Sequence, residues 1–260
     1  MKYCCSLFTA LLLLASSALL ACSCRSMPIL ERVDESDFVG IVKASDIEID
    51  KADPDYHRIQ VETVEVYKGE KVNKLTIHSS LSSSCSFMID KDANWLVYAK
   101  RQQRGLVFSF CSGSKRVISK NYGLQDISEE RLAYRSYIVR REVETLRFVR
   151  DMKVDTRGTA SLDLPVDLDR FYRTKIEVAI DGSRSVILKL RYNPDAMLCT
   201  IDVVKSSGNK QLDQLAMKTL KFRNRYTNIP SDRHGRNLAS TIVFYFASHN
   251  DEPSMSIFDH

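Results

Sequence analysis

The sequence predicts an α+β chain: a small five-stranded β-barrel, a long connecting helix, and a C-terminal sandwich in which a small sheet carries one helix. Three observations predict it: short alternating runs between residues 37 and 110, one helical stripe over 126–152, and a succession of strands with a single helix over 172–248. With 44% hydrophobic and 27% charged residues the composition is globular, and six prolines and nine glycines exclude long low-complexity tracts.

Residues 1–21 read as a signal peptide, with Lys2, an apolar run from Leu7 to Leu20, and small Ala21 at the processing site. The run is shorter than the roughly 20 apolar residues of a membrane-spanning helix. Export is therefore expected. Of seven cysteines, Cys4 and Cys5 leave with the leader, and Cys22, Cys24, Cys85, Cys111 and Cys199 enter a compartment where disulfides persist.

The barrel strands begin at Asp37–Val42. In the next run Ile59, Val61 and Thr63 share a face, and Val64 and Val66 then continue one residue out of phase, as a β-bulge in a coiling strand requires. Tyr67-Lys68-Gly69-Glu70 marks a turn. Further strands are expected at Lys74–His78, Trp95–Lys100 and Leu106–Phe110, with Ser79–Ser86 as loop and Trp95 in the core.

Asp126 and Glu129, at capping-box spacing, open the predicted helix to Met152, whose apolar stripe is Leu132, Val139, Val143, Leu146 and Val149. Its other face, with Arg131, Arg135, Arg140, Arg141, Glu142, Glu144, Arg147 and Arg150, is expected to be solvated and laced with ion pairs. Residues 153–171, containing Gly158 and Pro165, are the expected linker.

From residue 172, Ile176, Val178 and Ile180 alternate, Asp181-Gly182 turns, and Val186, Leu188 and Leu190 alternate back as a hairpin. A strand at Cys199–Val204 follows, with Cys199 expected to be a small buried residue. Ser207-Gly208-Asn209 leads into a helix with Leu212, Leu215, Ala216, Thr219 and Leu220 on one face. Ala239–Phe246 is the last expected strand and 249–260 a tail.

Several of these features together, C-S-C after a signal, "DFVGIV", "VYKGE", a Ser-rich loop with Cys85, "WLVYA", and Cys111 before Ser112-Gly113, resemble the netrin-like domain of the tissue inhibitors of metalloproteinases over residues 22–118. The resemblance implies an OB-type barrel and two disulfides, Cys22 with Cys85 and Cys24 with Cys111. It also implies that the α-amino group and carbonyl of Cys22 meet a protease zinc. Where the family has Pro close behind its C-x-C unit, Arg25-Ser26-Met27 precede Pro28 here. Leu19-Leu20-Ala21-Cys22 also resembles a bacterial lipobox, and an acyl group on Cys22 would consume the sulfur that the Cys85 bridge needs. Both fates stay open.

The stretch "VVKSSGNKQLDQLAMKTLKF" and the later "STIVFYF" resemble the C-terminal domain of TonB-type energy transducers over 172–248. Such a domain implies peptide binding by strand addition, with Ser240, Ile242, Phe244 and Phe246 on the edge strand. Energy transduction is not expected, because no Pro-rich spacer is present.

Five histidines, at 57, 78, 234, 249 and 260, form no H-E-x-x-H or other ligand spacing, and no G-x-S-x-G or phosphate-cradling loop is found. A thiol–imidazole pair of Cys85 with His78 is disfavoured by the disulfide expectation. The net charge is +5. Lys218, Lys221, Arg223, Arg225, Arg233 and Arg236 cluster in sequence, and a nucleic-acid reading would want such a patch interleaved with stacking aromatics, but an exported chain rarely meets nucleic acid, so a solvated face is expected rather than a nucleic-acid surface. The resulting expectation is a non-catalytic exported adaptor without cofactor or metal, in the periplasm or outer membrane of a Gram-negative-type bacterium. It would hold a protein partner of the envelope, touch membrane only through a lipid on Cys22, and bind no nucleic acid. The alternative is a metalloprotease inhibitor acting through Cys22.

Overall fold

A computed structural model describes residues 23–81, 86–117, 128–156, 175–180, 184–193, 195, 197–220, 239–249 and 252–257. It has the expected α+β architecture. Strand β1 (Phe38–Ile49) pairs antiparallel with β2 (Tyr56–Lys68), and β2 with β3 (Lys74–His78). β3 then lies parallel to β5 (Gly105–Ser109), and β5 runs antiparallel to β4 (Asn94–Gln102). β4 returns to β1 and closes an OB-like five-stranded barrel, with the two-residue β6 (Lys115–Arg116) added on β4. Val42, Ile59, Val61, Leu75, Ile77, Trp95, Val97 and Phe108 fill the interior.

The phase slip in β2 is a bulge, as expected. Ile41 faces Glu65 and Val42 faces Thr63, so Val64 is the extra residue, and its side chain is 55% exposed. A second shift falls at Tyr67, between the Val39–Lys68 and Gly40–Val66 pairs. At the following turn Gly69 has φ of +82°, a conformation that suits glycine, and an added Cβ would strike the carbonyl oxygen of Asp37 at 2.5 Å.

Helix α1 (Ile29–Glu35) is absent from the sequence prediction, because seven residues give too little periodicity. Pro28 stands at its N-cap, and Ile29, Leu30 and Val33 are buried. Its last carbonyls, of Val33 and Asp34, accept from Nζ of Lys68 at 2.8 and 3.0 Å.

Helix α2 (Glu129–Asp151) is capped by Ser128, whose Oγ accepts from the Arg131 amide; the expected cap, Asp126, lies outside the described residues. The expected stripe is the buried one at Val139, Val143, Leu146 and Val149. The helix nevertheless does more than connect. One core joins those residues to Val39, Ile41 and Tyr98 of the barrel, to Ile29 and Leu30 of α1, and to Ile187, Val243 and Tyr245 of the C-terminal sheet. Packed on two sides, α2 buries part of its polar face: Arg141 is 6% and Glu142 0% exposed. The expected solvated face therefore covers only part of the helix.

The C-terminal sheet has the order β10 (Glu252–Ser256), β9 (Ala239–His249), β7 (Arg184–Tyr192), β8 (Leu198–Lys205), all antiparallel. Its second face, with Leu188, Leu190, Ile242 and Phe244, packs on Leu212 and Ala216 of helix α3 (Lys210–Lys218). Asn209 caps α3, its side chain accepting from the amides of Gln211 and Leu212. Asp213 ties the preceding strand exit to the helix, accepting from Oγ of Ser206 at 2.5 Å, Oγ of Ser207 at 2.6 Å and the Ser207 amide at 2.8 Å. That triad gives the S-S-G-to-Asp spacing its physical reason.

Two expectations are corrected. Residues 175–180 form no strand, because both sides of β7 are taken by β8 and β9; Ile176, Val178 and Ile180 pack on the α3 core instead. Asp181-Gly182 lies outside the described residues. The expected tail carries β10 and a buried Ile257. Most of the expected 153–171 linker is not described. No described helix is long and apolar enough to cross a membrane.

Candidate functional site

A cleft of about 210 Å³ opens on the outer wall of the barrel beside α1. Alternation on β4 turns Val97 and Ala99 into the barrel and leaves Tyr98, Lys100 and Gln102 on the cleft side, joined by Val107 and Ser109 of β5 and His78 of β3. Met27, Arg32 and Glu35 form the opposite wall, and Cys111 closes one end. The disulfide Cys24–Cys111, across 87 residues of sequence, ties the segment before α1 to the short turn Phe110–Ser112 at that end. This bond fits an oxidising, exported compartment.

At the rim, His78 stacks on Tyr56 with ring centroids 4.7 Å apart and 24° between planes. The Arg104 guanidinium covers the Tyr56 ring at 4.6 Å and ion-pairs with Asp53. The layered guanidinium, phenol and imidazole make a polar, planar lip to the cleft.

Beneath the cleft lies a buried charge hub. Glu142 on α2 takes the hydroxyl of Tyr98 at 2.5 Å and Nη2 of Arg32 at 3.1 Å on Oε1, and Nζ of Lys115 at 2.6 Å on Oε2. Arg32 also stands 4.8 Å over the Tyr98 ring and donates to the carbonyl of Gly113 at 3.2 Å. The hub fixes α1, and with it one cleft wall, to the barrel and α2. A second clamp uses Glu65 of β2: Arg147 grips it with Nε and Nη2 at 3.0 and 2.7 Å, and Arg150 adds a bond at 3.0 Å. Those bonds, Arg147's foremost, with the Tyr67 hydroxyl, hold the Glu65 carboxyl down at about 2.

Sequence reasoning missed Arg32, Tyr98 and Glu142 as a unit. Tyr137 and Ile138 were the available signal: lying off the stripe, they widen the apolar arc of α2 beyond what one contact face needs.

The expected edge residues Ser240, Ile242, Phe244 and Phe246 lie on β9, which over Ala239–Phe244 pairs only with β7 among the described residues. All four side chains are buried, at 4, 5, 0 and 0% exposure, because their face packs on α3. β9 is also no free edge over its second half, where Phe246 faces both Arg184 of β7 and Met255 of β10. Among the described residues the full-length strand with a partner on one side only is β8. Cys199 on β8 is exposed and free, against the expectation of burial. Val203 is 43% exposed.

Cys22 and Cys85 lie outside the described residues, so the Cys22–Cys85 bridge, lipidation of Cys22 and the Cys85–His78 pair are not placed. The basic cluster beyond Lys218 is likewise outside them. Among the described residues, no three His, Cys, Asp or Glu side chains converge on a metal-binding geometry. Comparisons with protein-family models and with curated proteins find no match for this chain.

Proposed function

We propose that the chain is a non-catalytic adaptor of a Gram-negative-type cell envelope, carrying a netrin-like barrel and a TonB-type C-terminal module. It binds an extended segment of a protein partner by strand addition on β8. One observation carries this reading: β8 is an eight-residue strand, free of proline, paired on one side only among the described residues, with Val203 exposed. The shorter β10 is blunted by Pro253. The Cys24–Cys111 bond supports export. The outer backbone of β8 would supply affinity through ladder hydrogen bonds, and its exposed side chains selectivity.

The test is a photo-crosslinking residue at Val203, with Val64 on the barrel as control, in cells that export the protein. The expected product is an adduct through one extended partner segment, lost when Thr200 is changed to Lys. Adducts that form equally at Val64, or that survive Thr200→Lys unchanged, would refute docking on β8.

A further inference from the structure

We infer that Arg141 and Tyr137, one turn apart on α2, form a binding site for a small oxyanion or carboxylate. Arg141 is 6% exposed, pressed between α2 and the C-terminal sheet, with its guanidinium 4.1 Å over the Tyr245 ring and 5.7 Å from that of Tyr137. Ring faces attract a cation but accept no hydrogen bond in the guanidinium plane. The buried Nε and Nη2 of Arg141, and the buried hydroxyl of Tyr137, have no hydrogen-bond partner among the described residues. A buried cation without an acceptor is among the costliest arrangements a fold can carry.

The same helix shows what such an edge binds. Nε and Nη2 lie on one side of the guanidinium, and on Arg147 that side clamps the two oxygens of Glu65 at 3.0 and 2.7 Å. Two carboxylates on or against α2 are already committed, Glu142 to Arg32 and Lys115, and Glu65 to Arg147 and Arg150. The Tyr245 hydroxyl donates to Oγ1 of Thr145 at 3.2 Å, which in turn donates to the Arg141 carbonyl at 3.1 Å, so the ring under the guanidinium is itself held in place. The matching ligand is acceptor-only, anionic and presents two oxygens in one plane, with the Tyr137 phenol as a further donor. Phosphate, sulfate and a carboxylate of a partner peptide share that chemistry.

Thermal unfolding of the exported full chain tests the site, in inorganic phosphate, acetate and chloride at matched ionic strength. A saturable rise in Tm over chloride is expected, with phosphate alone if the site takes free oxyanions, and with acetate too if it takes carboxylates. Tyr137→Phe should weaken the apparent affinity by about tenfold, the scale of one charge-assisted hydrogen bond. Arg141→Met should abolish the anion-specific rise. Arg141→Lys, which retains charge without the two-donor edge, serves the same purpose should the Met variant not fold. Coincident Tm values in the three salts, or a rise that persists in the Arg141 variants, would overturn the inference.

Discussion

The phenol of Tyr98 donates to Oε1 of Glu142 at 2.5 Å, joining strand β4 to helix α2 at a carboxylate that also ion-pairs with Arg32 and Lys115. A buried ion cluster adds little net stability over an apolar substitute, but removing one member strands the others. Glu142→Ala, which removes the carboxylate that buried Arg32 and half-buried Lys115 share, should cost about 3–5 kcal/mol in urea unfolding. Tyr98→Phe, which deletes one bond to a charged acceptor, should cost about 2 kcal/mol. Equal losses in the two variants would show that the charges are compensated elsewhere.

Glu65 sets an acid limit on the α2–barrel contact. Its folded pKa of about 2 lies below the ordinary 4.5, so its contribution to stability is fully present above 4.5 and is lost as pH falls toward 2. The clamp is partly exposed, so the loss is modest. The unfolding free energy of Glu65→Gln should fall less steeply across that window than that of the parent. Parallel pH profiles would remove Glu65 from the account of acid sensitivity.

The barrel was largely legible because period-2 alternation and the slip at Val64 are local signals. So was α3, through its Asn209 cap and Leu212 stripe. The two-sided packing of α2 was not, since a helical stripe reports one buried face and says nothing of a second partner; Arg141 and Glu142 then read as surface charges. The edge of the sheet was equally hidden. Whether a strand such as β9 is internal depends on β10, and Pro253 within the short Glu252–Ser256 run masks its strand character. The cleft draws on Met27, His78, Lys100 and Cys111, distant in sequence, and no spacing motif could announce it.

Gly40 marks where β1 and β2 approach too closely for a side chain. An added Cβ would lie 2.6 Å from the Glu65 carbonyl oxygen and 2.8 Å from Cζ of Phe38. Gly40→Ala should therefore destabilise by about 1–3 kcal/mol, the scale of an overpacked core, and Gly40→Val by more. Thermal melts would show it, and an unchanged Tm in Gly40→Ala would mean that the bulged strand yields without penalty.

The Cys24–Cys111 bond and the Glu142 hub hold the same piece of chain from two ends. The disulfide anchors the residues before α1, while Arg32 within α1 is fixed by Glu142 and Gly113. Either restraint alone keeps α1 against the barrel, so their losses should be coupled rather than additive. Cys24→Ser with Cys111→Ser is expected to cost about 2–5 kcal/mol, and adding Glu142→Ala should cost more than the separate losses combined, as α1 and its cleft wall come free. Non-reducing peptide mapping should first find Cys24 linked to Cys111 in the parent. Free thiols at both positions would dissolve the covalent half of this arrangement, and strictly additive losses would show that the two restraints act on separate parts of the fold.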